Sequence, residues 1–478
     1  MKIFSILSLI CLCLQLNAQS FNDFLDYVNG LPSSQRQEKV DSFINNQDQL
    51  PYINGTQATF LVQSTAASAA LPGDYSGWDP AQSPMIKVTG TNLWYKTLSF
   101  DSAARIEYKF YLSGDWVLDS NNPYFAFGGF GANSELRMPD YIAPTETIYR
   151  PNIPHGTVID TSFYSTQLGN NRAIKIYLPP NYAQSTEEYP TVLVHDGLEY
   201  VNIAEMVNIL DYLIDEGLTE KLIAIFVPPV NRTPEYSGGQ QNAFTSFIID
   251  DILNHVDSQY RTIDSPEKRA VMGSSLGGNI SMWLGITRDD VFGNIGAFSP
   301  YVEPDILQLI NFNPAFDAKI YVNHGIYDHL DQIHQSVETC IPMLEAKNYE
   351  YLYKEYPEGH SYYFWRAYVD EALQYFFPGT TSTTVSVKPT ASADLKISPN
   401  PSDGYMNLEI TLSESGLLEI QIINQDGHYL QRIKEMINTP EQINKRIEIN
   451  KENGVKNGFA VIRLNGRVVA SEKFIIQH

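Results

Sequence analysis

The stretch VMGSSLGGNIS, residues 271 to 281, sets the adjacent serines Ser274 and Ser275 among Gly273, Gly277 and Gly278, between an apolar run and a helical pattern. In a G-x-S-x-G frame the small residues let the chain turn sharply from strand to helix and hold the serine hydroxyl above the sheet edge. Gly273-Ser274-Ser275-Leu276-Gly277 fits the frame, with RAVM before it and GNISMWLGI after. The frame also chooses between the serines: Ser274 would need a glycine at 272, where the chain has Met272. Ser275 is therefore the candidate nucleophile. The spacing from Gly273 to Gly278 matches a phosphate-binding loop as well, but that loop needs Lys and then Ser or Thr after its last glycine. Asn279 and Ile280 stand there instead. A glycine-rich turn can also be purely structural, so partner residues must decide.

Around this turn the strand-like runs AIKIYLP, TVLVH, LIAIFVP, RAVMG, NIGAFS, KIYVNHG and EYLYKEY alternate with helix-like segments such as IAEMVNILDYLIDEG and DQIHQSVETCIPMLEAK. That alternation implies βαβ units and a mostly parallel sheet with helices on both faces. It also puts a site at the C-terminal ends of the strands. The expected fold class is α/β over residues 146–378, flanked by an N-terminal and a C-terminal β-sandwich.

A serine hydroxyl attacks only when a base takes its proton, and the base needs an orienting carboxylate. On this topology the order along the chain is Ser, Asp or Glu, His. Four histidines follow Ser275 within the domain, His324, His329, His334 and His360, while His428 and His478 come after a linker. His324 falls in a strand pattern and His334 in a helical one, whereas YPEGHSYYFW puts His360 in the turn between the last strand and the last helix. Loops on a rigid sheet edge are where catalytic side chains gather, so His360 is the candidate base. The strand KIYVNHG runs into GIYDHLD, which makes Asp328 the candidate acid; Asp331 reads as a cap of the next helix and Glu358 as the reserve. Oxyanion donors would be the backbone N–H of Leu276 and, from the HDGLEY loop after TVLVH, those of Gly197 and Leu198.

Composition bounds the function. Apolar residues at 43% and charged residues at 18% describe folded protein rather than disorder, and a net charge of −23 argues against nucleic acid or an anionic membrane as partner. Residues 1–18 have a lysine, an apolar run and Ala18 at the expected cleavage position, the pattern of a secretory signal. The run is shorter than the ~20 residues of a membrane helix, and no transmembrane segment is expected in the mature protein. Cys11 and Cys13 lie in the signal, leaving Cys340 as a buried structural thiol and no intramolecular disulfide. No metal or other cofactor is called for.

The flanks have their own texture. Residues 19–55 suggest two short helices broken at Gly30 and Pro32. Residues 56–145 alternate apolar and polar side chains between turns, as do residues 394–478, and both read as small β-sandwiches. The Thr/Ser/Pro-rich stretch 379–393 reads as a linker.

Several pieces together carry a family resemblance: IYLPPNY at 176, VLVHDG at 192, NRTPEY at 231, GSSLGG at 273, GIYD at 325 and GHSYYFWR at 359. Residues 150 to 377 resemble the esterase family of α/β-hydrolases that includes enterochelin esterases and bacterial feruloyl esterases. The resemblance implies Ser275 as nucleophile, Asp328 as acid and His360 as base. It also implies a substrate role for Arg232 and Glu235 near an acyl pocket, against the plain alternative of a salt bridge on a surface loop. Siderophore-cleaving members often have Asp after the catalytic His, where this chain has Ser361. Residues 56–145, through PGDYSGW and EYKFYLSGDWVLD, resemble an early-set glycogen-binding-like domain. There Trp78, Trp94 and Trp116 either stack on sugars or fill the core. The tail, with KISPNPSDGYMNLEI, is similar to type IX secretion sorting domains, which implies export through that machinery to the cell surface or beyond.

The expected activity is that of a secreted serine carboxylic-ester hydrolase acting on acyl or feruloyl esters of carbohydrates, small or oligomeric. Two alternatives stand beside it: a siderophore trilactone esterase, and a glycan-binding surface protein with a disused esterase domain.

Overall fold

The strands of the central domain alternate their side chains between separate cores on the two faces of their sheet, and that alternation shapes everything around the site. In the computed structural model, which describes residues 20–47, 49–129, 131–380 and, apart from 413–414, 425–428, 438, 440–441, 450–456 and 465–466, residues 393–476, an eight-stranded sheet runs through this domain. Its strands are β1 (Thr157–Ser165), β2 (Asn170–Leu178), β3 (Thr191–His195), β4 (Ile223–Val227), β5 (Arg269–Ser274), β6 (Asn294–Phe298), β7 (Lys319–Gly325) and β8 (Glu350–Tyr356), in the spatial order β1-β2-β4-β3-β5-β6-β7-β8. The β1-β2 and β2-β4 pairs are antiparallel and the rest parallel. The expected signal at 1–18 and most of the expected linker, 381–392, lie outside the described residues.

Every residue of β3, β4 and β6 is buried, as expected for parallel strands covered on both faces. Val192, Val194, Ala224, Phe226, Ala270 and Met272 join one core. Their neighbours Leu193, Ile223, Ile225 and Val271 join the other, because successive side chains of a strand point to opposite faces. The helices Met206–Asp215 and Val369–Phe376 cover the first face and Leu276–Thr287 helps to cover the second. Edge strand β1 is only partly covered, with Val158, Ile159 and Phe163 packed against the cores and much of the rest open to solvent. Cys340 is buried in a third cluster, where burial pushes its thiol up to about 12.

The N-terminal region begins with the helices Phe21–Gly30 and Ser33–Asn45, the first capped by Ser20. They pack through Val28 and Val40 on Leu61 and Leu93 of a four-stranded sheet. Phe60 of that sheet shares a second core with Ile106, Phe110 and Leu136 of two three-stranded sheets. Past residue 392, one sheet of three strands and one of four pack into a single core through Leu408, Ile420 and Ile462. Among the described residues no helix is long and apolar enough to cross a membrane.

Candidate active site

Ser275 stands between β5 and the helix Leu276–Thr287 with φ 58° and ψ −122°. A non-glycine residue at positive φ is uncommon and costs roughly 1–3 kcal/mol of local strain, held only when its surroundings over-determine it. The surroundings here are close. A Cβ on Gly273 would lie 2.6 Å from the Gly277 carbonyl oxygen, and one on Gly277 would lie 2.9 Å from Asp196 Oδ2. The Ser275 amide donates to the Phe298 carbonyl at 2.8 Å, tying the turn to β6. Ser274 is fully buried, whereas Ser275 is partly open. Asn279, which rules out a phosphate loop, links this helix to the Tyr236 carbonyl at 2.9 Å and accepts from the Glu303 amide at 3.0 Å.

Asp328 follows β7 and His360 follows β8, so both stand at the same C-terminal sheet edge as Ser275. His360 Nδ1 lies 2.7 Å from Asp328 Oδ2, with the carboxylate fully buried and the imidazole 18% exposed. Burial works to raise the Asp328 pKa, but the adjacent His360 ring and its hydrogen bond outweigh burial and hold the carboxyl below its ordinary value. An ionised carboxylate only accepts, so Nδ1 carries the proton and the Nε2 lone pair is left to act as base. The Trp365 ring meets the imidazole edge-on at 5.0 Å, and its Nε1 donates to Ser299 Oγ at 3.2 Å. Ser299 directly follows Phe298, whose carbonyl holds Ser275. Among the described residues no hydrogen bond joins Ser275 Oγ to His360; such contacts commonly close only once substrate is bound.

Gly197 opens the helix Gly197–Asn202 and Leu276 opens its own, so neither N–H, nor that of Leu198, has an acceptor within its helix. A Cβ on Gly197 would lie 2.4 Å from the Phe226 carbonyl carbon, so the helix start is pressed against β4. Arg232 braces this side: Nε and Nη2 donate to Asp196 at 2.8 and 2.7 Å, and Nη2 reaches the Ser274 carbonyl at 3.2 Å. Tyr236 Oη accepts from the Asp196 amide at 3.0 Å.

Three expectations need correction. Arg232 and Glu235 do not pair with each other in a surface salt bridge: Arg232 is paired with Asp196. Glu235 is fully buried and accepts from Nη2 and Nη1 of Arg172, at 2.6 and 2.8 Å, and also from the Val230 and Asn231 amides. A buried carboxyl requires such partners, and β2 supplies the arginine. Glu358 is no reserve partner for His360: it is buried against Arg105, and burial, with Arg105 acting against it, pushes its carboxyl up to about 7. The tryptophans do not act alike. Trp94 is in the core, Trp116 is 48% exposed, and Trp78 is half-buried beside it, the rings 6.4 Å apart.

Asp196, Tyr236, Ser299 and Trp365 went unassigned in the sequence. Tyr236 and Trp365 lie inside the quoted NRTPEY and GHSYYFWR segments, but nothing along the chain says what they touch.

Residues 165–376 match the model of a family described as "Putative esterase". The uncharacterized protein YjcH of Bacillus subtilis is 24% identical over 236 residues, 46% of this chain and 97% of its own length. An endo-1,4-beta-xylanase/feruloyl esterase of Xylanibacter ruminicola is 25% identical over 247 residues, 48% of this chain and 32% of that protein. Among solved structures, the enterobactin esterase of Shigella flexneri matches with a TM-score of 0.58 at 18% identity, over 70% of this chain and 97% of its own. The ferric enterobactin esterase of Salmonella typhimurium matches with 0.59 at 17% identity over the same shares. At these identities the structural likeness is one of fold. The family match over the central domain makes the chain a carboxylic-ester hydrolase.

Proposed function

We propose that the protein is a secreted serine esterase in which Ser275, His360 and Asp328 form a catalytic triad acting on acyl or feruloyl esters of carbohydrates. The 2.7 Å contact between Asp328 and His360, at the sheet edge where Ser275 is held at positive φ, carries this reading. His360 Nε2 takes the proton of Ser275 Oγ as that oxygen bonds to the ester carbonyl carbon. The oxyanion is held by the N–H of Leu276 and those of Gly197 and Leu198. His360 then gives the proton to the departing alkoxide, and water, deprotonated by the same ring, releases the acid and regenerates Ser275. Arg232 steadies Asp196 and the Ser274 carbonyl on either side of the oxyanion.

The carbohydrate preference is supported by Trp116, Trp78 and Tyr111, which cluster with ring separations of 6.4 and 5.2 Å. A Cβ on Gly77 would lie 3.3 Å from the His329 carbonyl oxygen, so this cluster adjoins the loop carrying Asp328. The exposed Trp116 face can stack on sugar rings and on aromatic acyl groups alike. The charge of −23, and an Arg232 already paired with Asp196, speak against an acidic iron chelator. The siderophore alternative keeps the support of the fold shared with enterobactin esterases. Export rests on residues 1–18 and on the character of the tail. Assays on methyl ferulate, acetylated xylan and enterobactin test the substrate class: turnover of enterobactin alone would overturn the carbohydrate reading. Tight glycan binding without labelling of Ser275 by a fluorophosphonate would instead favour a binding protein.

A further inference from the structure

The loop that carries His360 is gripped by side chains from the N-terminal β unit. Arg105, wholly buried in that unit, donates from Nη1 to Glu358 Oε2 at 3.0 Å and to Ser361 Oγ at 3.3 Å, and its amide donates to the Pro357 carbonyl at 3.0 Å. These three partners bracket His360 on both sides. Behind it, Nη2 donates to Glu107 Oε1 at 2.6 Å, and Nε forms an ion pair with Glu135 Oε2 at 3.3 Å without a hydrogen bond. Gly359, directly before His360, is pressed against Asp74: a Cβ there would fall 2.0 Å from the Asp74 Cγ. Asp74 is itself fixed by the Glu107 amide at 2.8 Å and by Trp78 Nε1 at 3.1 Å.

The acid side is held by the same unit. Tyr327, directly before Asp328, accepts from the Asp101 amide at 2.8 Å and meets the Phe100 ring edge-on at 5.4 Å, packed against the N-terminal core. An arginine buried among carboxylates is weak evidence for stability, since apolar replacements often do as well; its better attested use is to fix geometry. Its planar fork can hold several oxygens in one arrangement, which a lysine cannot.

We propose that Arg105 is a positioning residue for ester hydrolysis: through Glu358, Ser361 and the Pro357 carbonyl it holds His360 in line with Asp328, while Asp101 and Phe100 hold Tyr327 beside that carboxylate. The N-terminal β unit thereby aligns the acid–base pair of the neighbouring domain. The proposal rests on the reading of His360 as general base.

The test uses the full chain and p-nitrophenyl acetate, with Arg105→Lys and Tyr327→Phe each made in the native and the His360→Ala background. A small misplacement of a catalytic group costs about 100-fold, so Arg105→Lys should lower kcat by roughly 10- to 100-fold with KM within about twofold. In the His360→Ala background the same change should cost nothing further, because it acts through that ring. An equal loss in both backgrounds, or an unchanged kcat in the native one, would overturn the proposal. If Arg105→Lys does not fold, Tyr327→Phe, which deletes one half-buried hydroxyl, carries the same comparison with a smaller loss of roughly 3- to 10-fold. Full activity in His360→Ala alone would instead sink the base assignment, and the clamp with it.

Discussion

His360 Nδ1 lies 2.7 Å from Asp328 Oδ2 although 32 residues of chain separate them. The two side chains stand on loops after adjacent parallel strands, so the register of β7 on β8 sets their distance. The carboxylate is buried and its pKa lies below the ordinary value because the ring outweighs burial.

Ser275→Ala should lower kcat/KM on p-nitrophenyl acetate by about 10⁴-fold or more, the loss expected of a catalytic triad without its nucleophile. Alanine keeps the Cβ already accommodated at φ 58°, so the fold should be unchanged. Ser274→Ala, at the buried neighbour, should retain activity within about threefold. The reverse pattern would show that the glycine frame picked the wrong serine.

Asp328→Asn should lower kcat by roughly 10²- to 10⁴-fold by removing the acceptor that fixes the imidazole tautomer. It should also change how stability depends on pH. A carboxyl with a depressed folded pKa contributes its stability in full above the ordinary value of 3.8, and loses it as pH falls through the lower folded value. Thermal melts of native and Asp328→Asn proteins should therefore differ most near neutral pH and converge in acid. A gap that widens toward low pH would contradict the low carboxyl pKa.

Glu235→Ala should destabilise the central domain by about 3–5 kcal/mol, because it leaves the buried Arg172 guanidinium unpaired. Urea unfolding reads this directly. Activity per folded molecule should fall far less than for Ser275→Ala, which separates a structural carboxylate from one that handles substrate.

Gly273→Ala would put a methyl group 2.6 Å from the Gly277 carbonyl oxygen and 3.0 Å from His195 Cβ. The backbone must open to admit it, and overpacking of this kind costs about 1–3 kcal/mol. A fluorophosphonate should then label Ser275 much more slowly while most of the fold survives. Native-like labelling would mean that the tight turn is not needed to present the hydroxyl.

What the sequence determined by itself is what neighbouring residues carry between them. The two-sided burial of β3 and β4 follows from the apolar runs Val192–Val194 and Ile223–Val227, and the sharp turn at Ser275 follows from glycines two residues to either side. The places of Asp328 and His360, each soon after a strand, are legible because strands and helices alternate visibly along the chain. The tertiary structure decided which charged groups meet. Glu235 looked like a partner for Arg232 three residues away, yet it belongs to Arg172, 63 residues distant, and Glu358 belongs to Arg105 at a separation of 253. A buried carboxylate takes whichever cation the packing of strands and loops brings within about 3 Å. That distance is set by three-dimensional register, which spacing along the chain does not encode.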